Sequence, residues 1–215
     1  MYTLDTQAAR QADTNGGMIT EIGKYVGTFT QAVDVTASTG TKGIALTFQS
    51  NAGQKARLSI YTMKKSGEKL MGFQTLSAIM TCLSLRSIAP KDGTYTNWNN
   101  ETRTNEQVQG QVFLDLCNKP IGVLLETEDY TKNDGSLGTR MVLKGIFQAN
   151  TELTASEILD KKTQPEQLAK MVAALRHHPV HGAAATRATS HDAAKARQHA
   201  PASSGFDNMD DDIPF

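Results

Sequence analysis

Apolar and polar residues alternate along three successive segments early in the chain, with the two-residue period of a half-buried β-strand. The segments cover residues 22–36, 42–49 and 54–65. Short turns separate them, and each turn contains a glycine, Gly40 in the first and Gly53 in the second. The pattern therefore predicts a three-stranded meander.

A helical period follows at residues 72–86, where apolar side chains three or four residues apart form one stripe from Phe73 to Leu83. The remaining predicted elements, in chain order, are a long loop or irregular hairpin at 91–107, a short strand at 108–116, strands at 120–130 and 138–149, and helices at 154–159 and 165–176.

The order strand–strand–strand–helix–strand–strand is that of the OB-fold, a five-stranded, partly open Greek-key barrel. We therefore expect a mainly β chain with an OB-fold-like five-stranded barrel, an intervening helix, C-terminal helices and a disordered tail with an acidic tip. Other small barrels and mixed α+β domains share this order of elements.

Composition changes abruptly after Arg176. Residues 177–205 are dominated by Ala, His, Ser, Thr and Pro, and contain no aliphatic side chain larger than valine. Such a segment buries too little surface to offset the loss of chain entropy on folding. The predicted divisions are a flexible N-terminus at 1–17, a folded domain at 18–176, a disordered linker at 177–205 and an acidic tip at 206–215.

The net charge of zero conceals a segregation of charge along the chain. Residues 20–91 hold nine basic and three acidic side chains, whereas the last ten residues hold four aspartates and no basic group. Positive charge is therefore concentrated in the predicted meander and helix, where an anionic ligand is best accommodated.

Several classes of protein are disfavoured by the sequence. No segment approaches the roughly 18–20 apolar residues that span a bilayer, and no apolar N-terminal run indicates a secretory signal. Cys82 and Cys117 lack metal-ligand spacing and are interpreted as buried free thiols of a reducing compartment. A Gly-rich phosphate loop is absent from the sequence. We therefore expect a cytoplasmic protein that is not an enzyme and has no catalytic residue, cofactor or metal.

One acidic cluster keeps a nuclease among the alternatives. Glu126, Glu128 and Asp129 lie close together in a predicted strand, but no further carboxylate or lysine follows in a recognisable metal-binding pattern. A solvated strand end is the simpler interpretation. The histidines that begin at His177 lie in the predicted linker without Cys or carboxylate support, which disfavours a specific metal site.

The C-terminal tip combines negative charge with an apolar end. It consists of Asp210, Asp211, Asp212, Ile213, Pro214 and Phe215. A protein that captures it needs an apolar pocket for the phenyl ring and basic groups for the side-chain and terminal carboxylates. A merely solubilising acidic tail is the alternative, but such a tail has no use for an apolar end.

This hexapeptide, after a low-complexity linker, resembles the C-terminal tip of bacterial single-stranded-DNA-binding proteins. In that family the tip binds replication, recombination and repair enzymes, and Pro214 and Phe215 match its apolar end. The body lacks the usual bacterial barrel sequence and carries additional helices at 154–176. In layout it is more similar to phage-encoded single-stranded-DNA-binding proteins, which implies a bacterial or infected-host cytoplasm.

A groove for single strands needs cations for the phosphates and aromatic rings for base stacking. The candidate nucleic-acid-binding residues are Lys24, Tyr25, Lys55, Arg57, Tyr61, Lys64, Trp98, Arg103, Arg140 and Lys144. The third strand of the meander supplies both kinds of side chain on one face, which is the usual nucleic-acid surface of OB-folds. Tyr25 fits the core equally well, and Trp98 fits a cap on the barrel.

The combined pattern predicts a protein that binds and protects single-stranded DNA and recruits DNA-maintenance enzymes through its tip. It predicts no membrane partner, and it is compatible with a homo-oligomer. Two alternatives stay open. One is a recombination mediator or strand-annealing protein, and the other is an adaptor or decoy that occupies host enzymes through the tip without binding DNA.

Overall fold

The computed structural model describes residues 17–99, 102–132 and 134–180 of the chain. Residues 1–16, the linker beyond residue 180 and the whole C-terminal tip lie outside the described residues. The described part is mainly β with few helices, as the sequence predicts, but its antiparallel sheet is open and the expected five-stranded barrel is not confirmed.

The predicted meander forms as three antiparallel strands, β1 (Gly23–Thr36), β2 (Lys42–Ser50) and β3 (Lys55–Met63). Gly40 and Gly53 adopt left-handed backbone conformations in the two turns, with φ values of 80° and 82°. Glycine reaches this region without the steric cost that a Cβ atom imposes. The prediction of the meander is confirmed, and each strand ends within two residues of its predicted limit.

The helix after the meander, α1 (Met71–Cys82), is shorter than the predicted span of 72–86. Ser84 has a φ of 56°, and this left-handed residue ends the helix. The Leu85 N–H turns back to donate to the Met80 carbonyl oxygen at 2.8 Å, which satisfies one of the free carbonyls at the helix end.

The polar segment after α1 folds as a regular hairpin of two nine-residue strands, β4 (Lys91–Asn99) and β5 (Thr104–Val112). All nine residues of β4 pair with β5. The alternative of a loop at 91–107 is therefore wrong, and the strand predicted at 108–116 starts earlier and ends at Val112. Polar cross-strand contacts stabilise this hairpin in place of an apolar stripe. Its sequence therefore shows little of the apolar–polar alternation by which strands are predicted.

Two long strands, β6 (Pro120–Thr131) and β7 (Leu137–Phe147), complete the sheet and confirm the predicted pair. The first half of β1 pairs with β6, and Val33 in its second half pairs with Val112 of β5. The path β3–β2–β1–β5–β4 thus carries β6 and β7 as a branch from β1. Within the described ranges β3 and β7 are in contact but no hydrogen-bonded ladder joins them, so the sheet is not closed into a barrel.

The C-terminal part of the body contains two short helices, α2 (Ala155–Leu159) and α3 (Gln167–Ala173), at the predicted positions. A two-residue strand, β8 (His177–His178), then pairs in parallel with β6. These two histidines were assigned to the linker from composition, but they pair with the sheet.

The main core lies between the sheet and α1. Its centre includes the rings of Phe29 and Phe48, which meet edge to face with centroids 6.0 Å apart. A second cluster forms where α3 covers β6 and β7, with Leu124, Phe147 and Leu168 buried against one another. No helix among the described residues is long and apolar enough to cross a membrane.

Both cysteines are free thiols. Cys82 is buried in the main core, and burial raises the pKa of its thiol to about 12. Cys117 is half-buried, and burial raises its pKa as well. The thiolate is the reactive form, so neither sulfur is activated for chemistry.

Candidate nucleic-acid interface

The two faces of β3 differ in the way that the sequence predicts. Ala56, Leu58 and Ile60 are buried in the core, whereas Lys55 and Arg57 are exposed on the opposite face. Because directly paired residues of antiparallel strands share a face, the neighbouring positions of β2 belong to the same surface. We call the accessible part of this surface the open face; it comprises Thr47, Gln49, Lys55, Arg57 and Ser59.

One row of side chains crosses the sheet from the open face to the hairpin. Arg57 lies opposite Thr47 on β2, and Thr47 lies opposite Gln31 on β1. The Thr96 N–H of β4 donates to Gln31 Oε1 at 2.6 Å, and Gln31 Nε2 donates to the Thr96 carbonyl oxygen at 3.3 Å. The β4 edge of the hairpin is therefore held beside the open face.

The hairpin contacts two neighbouring rows of the sheet. Its base contacts the row of Val33, through the pair with Val112, and Thr96 contacts the row of Gln31.

The open face carries two cations that pair with no described residue through their charged groups, Lys55 and Arg57. Their charges are available to a ligand without the loss of an existing ion pair. Across the face they meet neutral partners, since Gln49 lies opposite Lys55 and Thr47 lies opposite Arg57. The surface is thus polar and positive, with no acidic side chain among the five residues that define it.

The aromatic residues of the hairpin lie on its two opposite faces. Tyr95 packs against a small apolar cluster of Val33, Ala45 and Val112, and so holds the middle of β4 against the sheet. Trp98, three positions later, is half-buried and lies on the other face, opposite Asn105. The Trp98 face also bears neutral pairs in which Gln107 Nε2 donates to Thr96 Oγ1 and Gln109 Nε2 donates to Thr94 Oγ1.

Arg103 lies in the turn of the hairpin. It is exposed and has a φ of 52°, in the left-handed region of backbone conformation. As the outermost cation of the hairpin, it can reach a phosphate that passes the tip.

Tyr61 and Lys64 lie toward the end of β3. Tyr61 is half-buried and its hydroxyl oxygen is inaccessible to solvent, so only part of the ring is available to a ligand. Lys64 pairs with Glu68 at 3.0 Å on an exposed turn. An exposed pair of this kind contributes about 0–1 kcal/mol, so a phosphate can displace the carboxylate.

Lys24 and Tyr25 lie at the start of β1, in less favourable settings for a ligand. Lys24 Nζ lies 2.7 Å from Glu152 Oε1. Tyr25 packs against the main core, and its hydroxyl donates to the Glu21 carbonyl oxygen at 2.8 Å. Burial, and secondly the charge of Glu21, raises the pKa of Tyr25.

Arg140 and Lys144 of β7 both lie beside carboxylates of β6. The Arg140 guanidinium donates through Nε and Nη2 to Glu128 Oε2 at 3.0 and 2.8 Å. Lys144 Nζ lies 3.7 Å from Oε2 of Glu126. The structure therefore brings Lys55 and Arg57 together on one polar face. Arg140 and Lys144 lie elsewhere, beside acidic side chains.

The acidic cluster of β6 holds the end of the folded body in place. Glu126 is buried; its Oε1 accepts from the Arg176 N–H at 3.2 Å and its Oε2 lies 2.7 Å from His178 Nε2. Asp129 Oδ2 lies 3.0 Å from His177 Nε2. These carboxylates thus have structural partners, and the described residues contain no group of three or more His, Cys, Asp or Glu side chains arranged to hold a metal ion.

Gln31 and Thr47 were not among the predicted site residues. A glutamine in the middle of a strand, directly before the buried residues Ala32 and Val33, is the signal that could have identified the first of them. A half-buried amide needs hydrogen-bond partners, and these come from the hairpin 65 residues further along the chain.

Comparisons of the chain with models of protein families and with curated proteins find no match.

Proposed function

We propose that the chain binds single-stranded DNA along the open face and recruits DNA-maintenance enzymes through its C-terminal tip. The observation that carries the first part is the pair of cations, Lys55 and Arg57, on a neutral polar surface beside the hairpin. Cations hold the phosphates of a single strand, and neutral amide and hydroxyl groups tolerate any base.

The order of elements supports an OB-type body for this role. The meander, α1 and the pair β6–β7 follow the order of the OB-fold, with β6 paired to β1 and the hairpin β4–β5 inserted between α1 and β6. OB-folds are partly open barrels, and they bind oligonucleotides on the face of their second and third strands. The open face corresponds to that surface.

The hairpin supplies the aromatic part of the proposed interface. Trp98 lies two residues beyond Thr96, whose backbone is held by Gln31 beside the open face. Base stacking on an aromatic ring is worth about 1–3 kcal/mol per base and does not depend on sequence. Phosphate contacts on β3 and a stacked base on the hairpin together account for binding without sequence preference.

Binding of a labelled oligothymidine of about 30 nucleotides, long enough for more than one OB-fold site of about 4–16 nucleotides, tests the first part of the proposal. We expect tight binding that weakens steeply with salt, because phosphate contacts release counterions, and much weaker binding to a duplex of equal length. Absence of binding at low salt overturns the DNA-binding proposal and favours an adaptor that acts through the tip alone. Native mass in the same samples separates a discrete binder from a ring-forming annealing protein.

The second part rests on the sequence of the tip, which lies outside the described residues. A partner pocket for the phenyl ring makes Phe215 the most sensitive position. We expect Phe215→Ala to abolish binding to a bacterial repair enzyme that recognises tips of this kind, and to leave oligothymidine affinity unchanged. If Phe215→Ala binds the enzyme as tightly as the unsubstituted protein does, recruitment through the tip is contradicted.

A further inference from the structure

The hairpin β4–β5 is attached to the body at only a few points. Its nine-residue strands span about 30 Å, at about 3.3 Å per residue. Backbone pairing with the body is confined, among the described residues, to Val112 opposite Val33 at the base. The cluster around Tyr95, the residue before Thr96, adds an apolar contact halfway along β4.

The side chain of Gln31 is the polar attachment halfway along the hairpin. Its carboxamide accepts from the Thr96 N–H and donates to the Thr96 carbonyl oxygen, as a neighbouring strand would. Its Nε2 also lies 3.4 Å from Thr47 Oγ1 on β2, so one side chain contacts both the hairpin and the open face. Gln31 and Thr96 are both half-buried, and the amide group therefore replaces water at two backbone groups of the β4 edge.

We infer that Gln31 is a positioning residue that holds the hairpin as a wall along the open face. The inference rests on the proposed function, in that the wall serves a strand of DNA bound to Lys55 and Arg57. Trp98 lies two residues from Thr96, so the same contact sets the position of the indole ring relative to the bound strand. Without it, the outer half of the hairpin is free to move away from the sheet and the stacking partner is lost.

Gln31→Leu, a substitution of similar size without hydrogen-bonding groups, tests this role through two measurements. Hydrogen exchange reads the position of the hairpin without DNA: we expect faster exchange of the Thr96 amide and its neighbours, with the amides of β2 and β3 unchanged. Oligothymidine affinity tests the interface: we expect a loss of about five- to 150-fold, the range that two net hydrogen bonds imply. The salt dependence of binding should stay that of the unsubstituted protein, because no cation is removed.

Gln109→Leu is the matched control for the exchange measurement. It removes an amide hydrogen bond within the hairpin, from Gln109 Nε2 to Thr94 Oγ1, and none between the hairpin and the body. We expect the Thr96 amide of this variant to exchange as in the unsubstituted protein. Equal acceleration in both variants would mean that Gln31 is one of many general contributors to hairpin stability, and would overturn a specific positioning role.

The remaining outcomes separate the inference from the proposed function. Unchanged exchange in Gln31→Leu overturns the positioning role, whatever happens to DNA. Faster exchange with unchanged oligothymidine affinity shows that the hairpin is not a wall of the interface, and also overturns it. Failure of the unsubstituted protein to bind DNA rejects the proposed function and with it the role of the wall, whereas the exchange result still decides whether Gln31 positions the hairpin.

Discussion

His178 Nε2 lies 2.7 Å from Oε2 of the buried residue Glu126, and this contact fastens the last described strand to the sheet. The other carboxylate oxygen of Glu126 accepts from the Arg176 N–H. One buried carboxylate on β6 therefore organises the point at which the folded body ends. The predicted linker continues from here, so this contact also sets the position from which the tail departs.

Replacement of Glu126 by leucine should release this segment. The Arg176 N–H and the His178 ring lose their charged partner, and a hydrogen bond to a charged group contributes about 1.5–3 kcal/mol. We expect the free energy of unfolding to fall by that amount, and limited proteolysis to cleave more readily around residues 174–180. Urea denaturation and mass mapping of the fragments measure the two effects.

Glu128→Leu is the control for this substitution, since it removes a carboxylate from the same face of β6. Glu128 pairs with Arg140, and the side chains of both are more than a third exposed. An exposed ion pair contributes about 0–1 kcal/mol. A loss of stability in Glu128→Leu as large as that in Glu126→Leu would contradict the special role of the buried group.

Removal of the charges of Lys55 and Arg57 on the open face should weaken DNA binding and make it less dependent on salt concentration. Each phosphate contact contributes about 0.7 to the slope of log K against log salt for single strands. The double variant Lys55→Ala and Arg57→Ala should therefore lower the slope by about 1.4 and reduce affinity most strongly at low salt. Anisotropy titrations over a salt series measure both quantities.

Lys170→Ala is the matched control, because Lys170 is an exposed cation on α3 that pairs with no described residue. Lys170→Ala removes one positive charge, as Lys55→Ala or Arg57→Ala alone would, but from a helix and not from the open face. An equal change of slope for this variant would show that the effect of Lys55 and Arg57 arises from overall charge and not from a localised site.

Trp98 is the only tryptophan of the chain, so its fluorescence reports directly on the hairpin. We expect emission to be quenched when oligothymidine is added, because a stacked base contacts the indole ring. Trp98→Ala should lower affinity by about 1–3 kcal/mol, the value of one stacked base, whereas Trp98→Phe should recover part of it. Unchanged emission at saturating DNA, together with unchanged affinity of the alanine variant, would place Trp98 outside the interface.

Local patterns predict some parts of this molecule and not others for identifiable reasons. The alternation in β3 follows from one buried face, so it is visible in the sequence. The hairpin has no such face along most of its length, and its Thr–Gln contacts have no apolar period. The partners of predicted cations are also set by tertiary structure, as the ion pair between Lys24 and Glu152 across 128 positions illustrates. Which cations stay available to a ligand could therefore be decided only from the fold.

Glu157 links α2 to the start of α3 and should make stability depend on pH in the acidic range. Its carboxylate accepts from the backbone N–H and the hydroxyl of Thr154, and from the backbone N–H groups of Glu166 and Gln167. These hydrogen bonds lower the pKa of Glu157 from 4.5 to about 2, and the bond from the Thr154 N–H has the largest effect. Burial opposes them, and the N–H groups of Glu166 and Gln167 contribute next.

Because the pKa of Glu157 is lower in the folded state, the unfolded chain takes up the proton first as pH falls. The contribution of this carboxylate is therefore fully present above about pH 5 and is lost as pH falls toward about 2. Glu157→Gln should have a lower urea midpoint than the unsubstituted protein near neutral pH, and the two midpoints should converge through this window. Glu166→Gln, at an exposed position paired with Lys162, should follow the unsubstituted protein throughout. A constant offset of Glu157→Gln at every pH would show that its contribution comes from packing and not from the charged carboxylate.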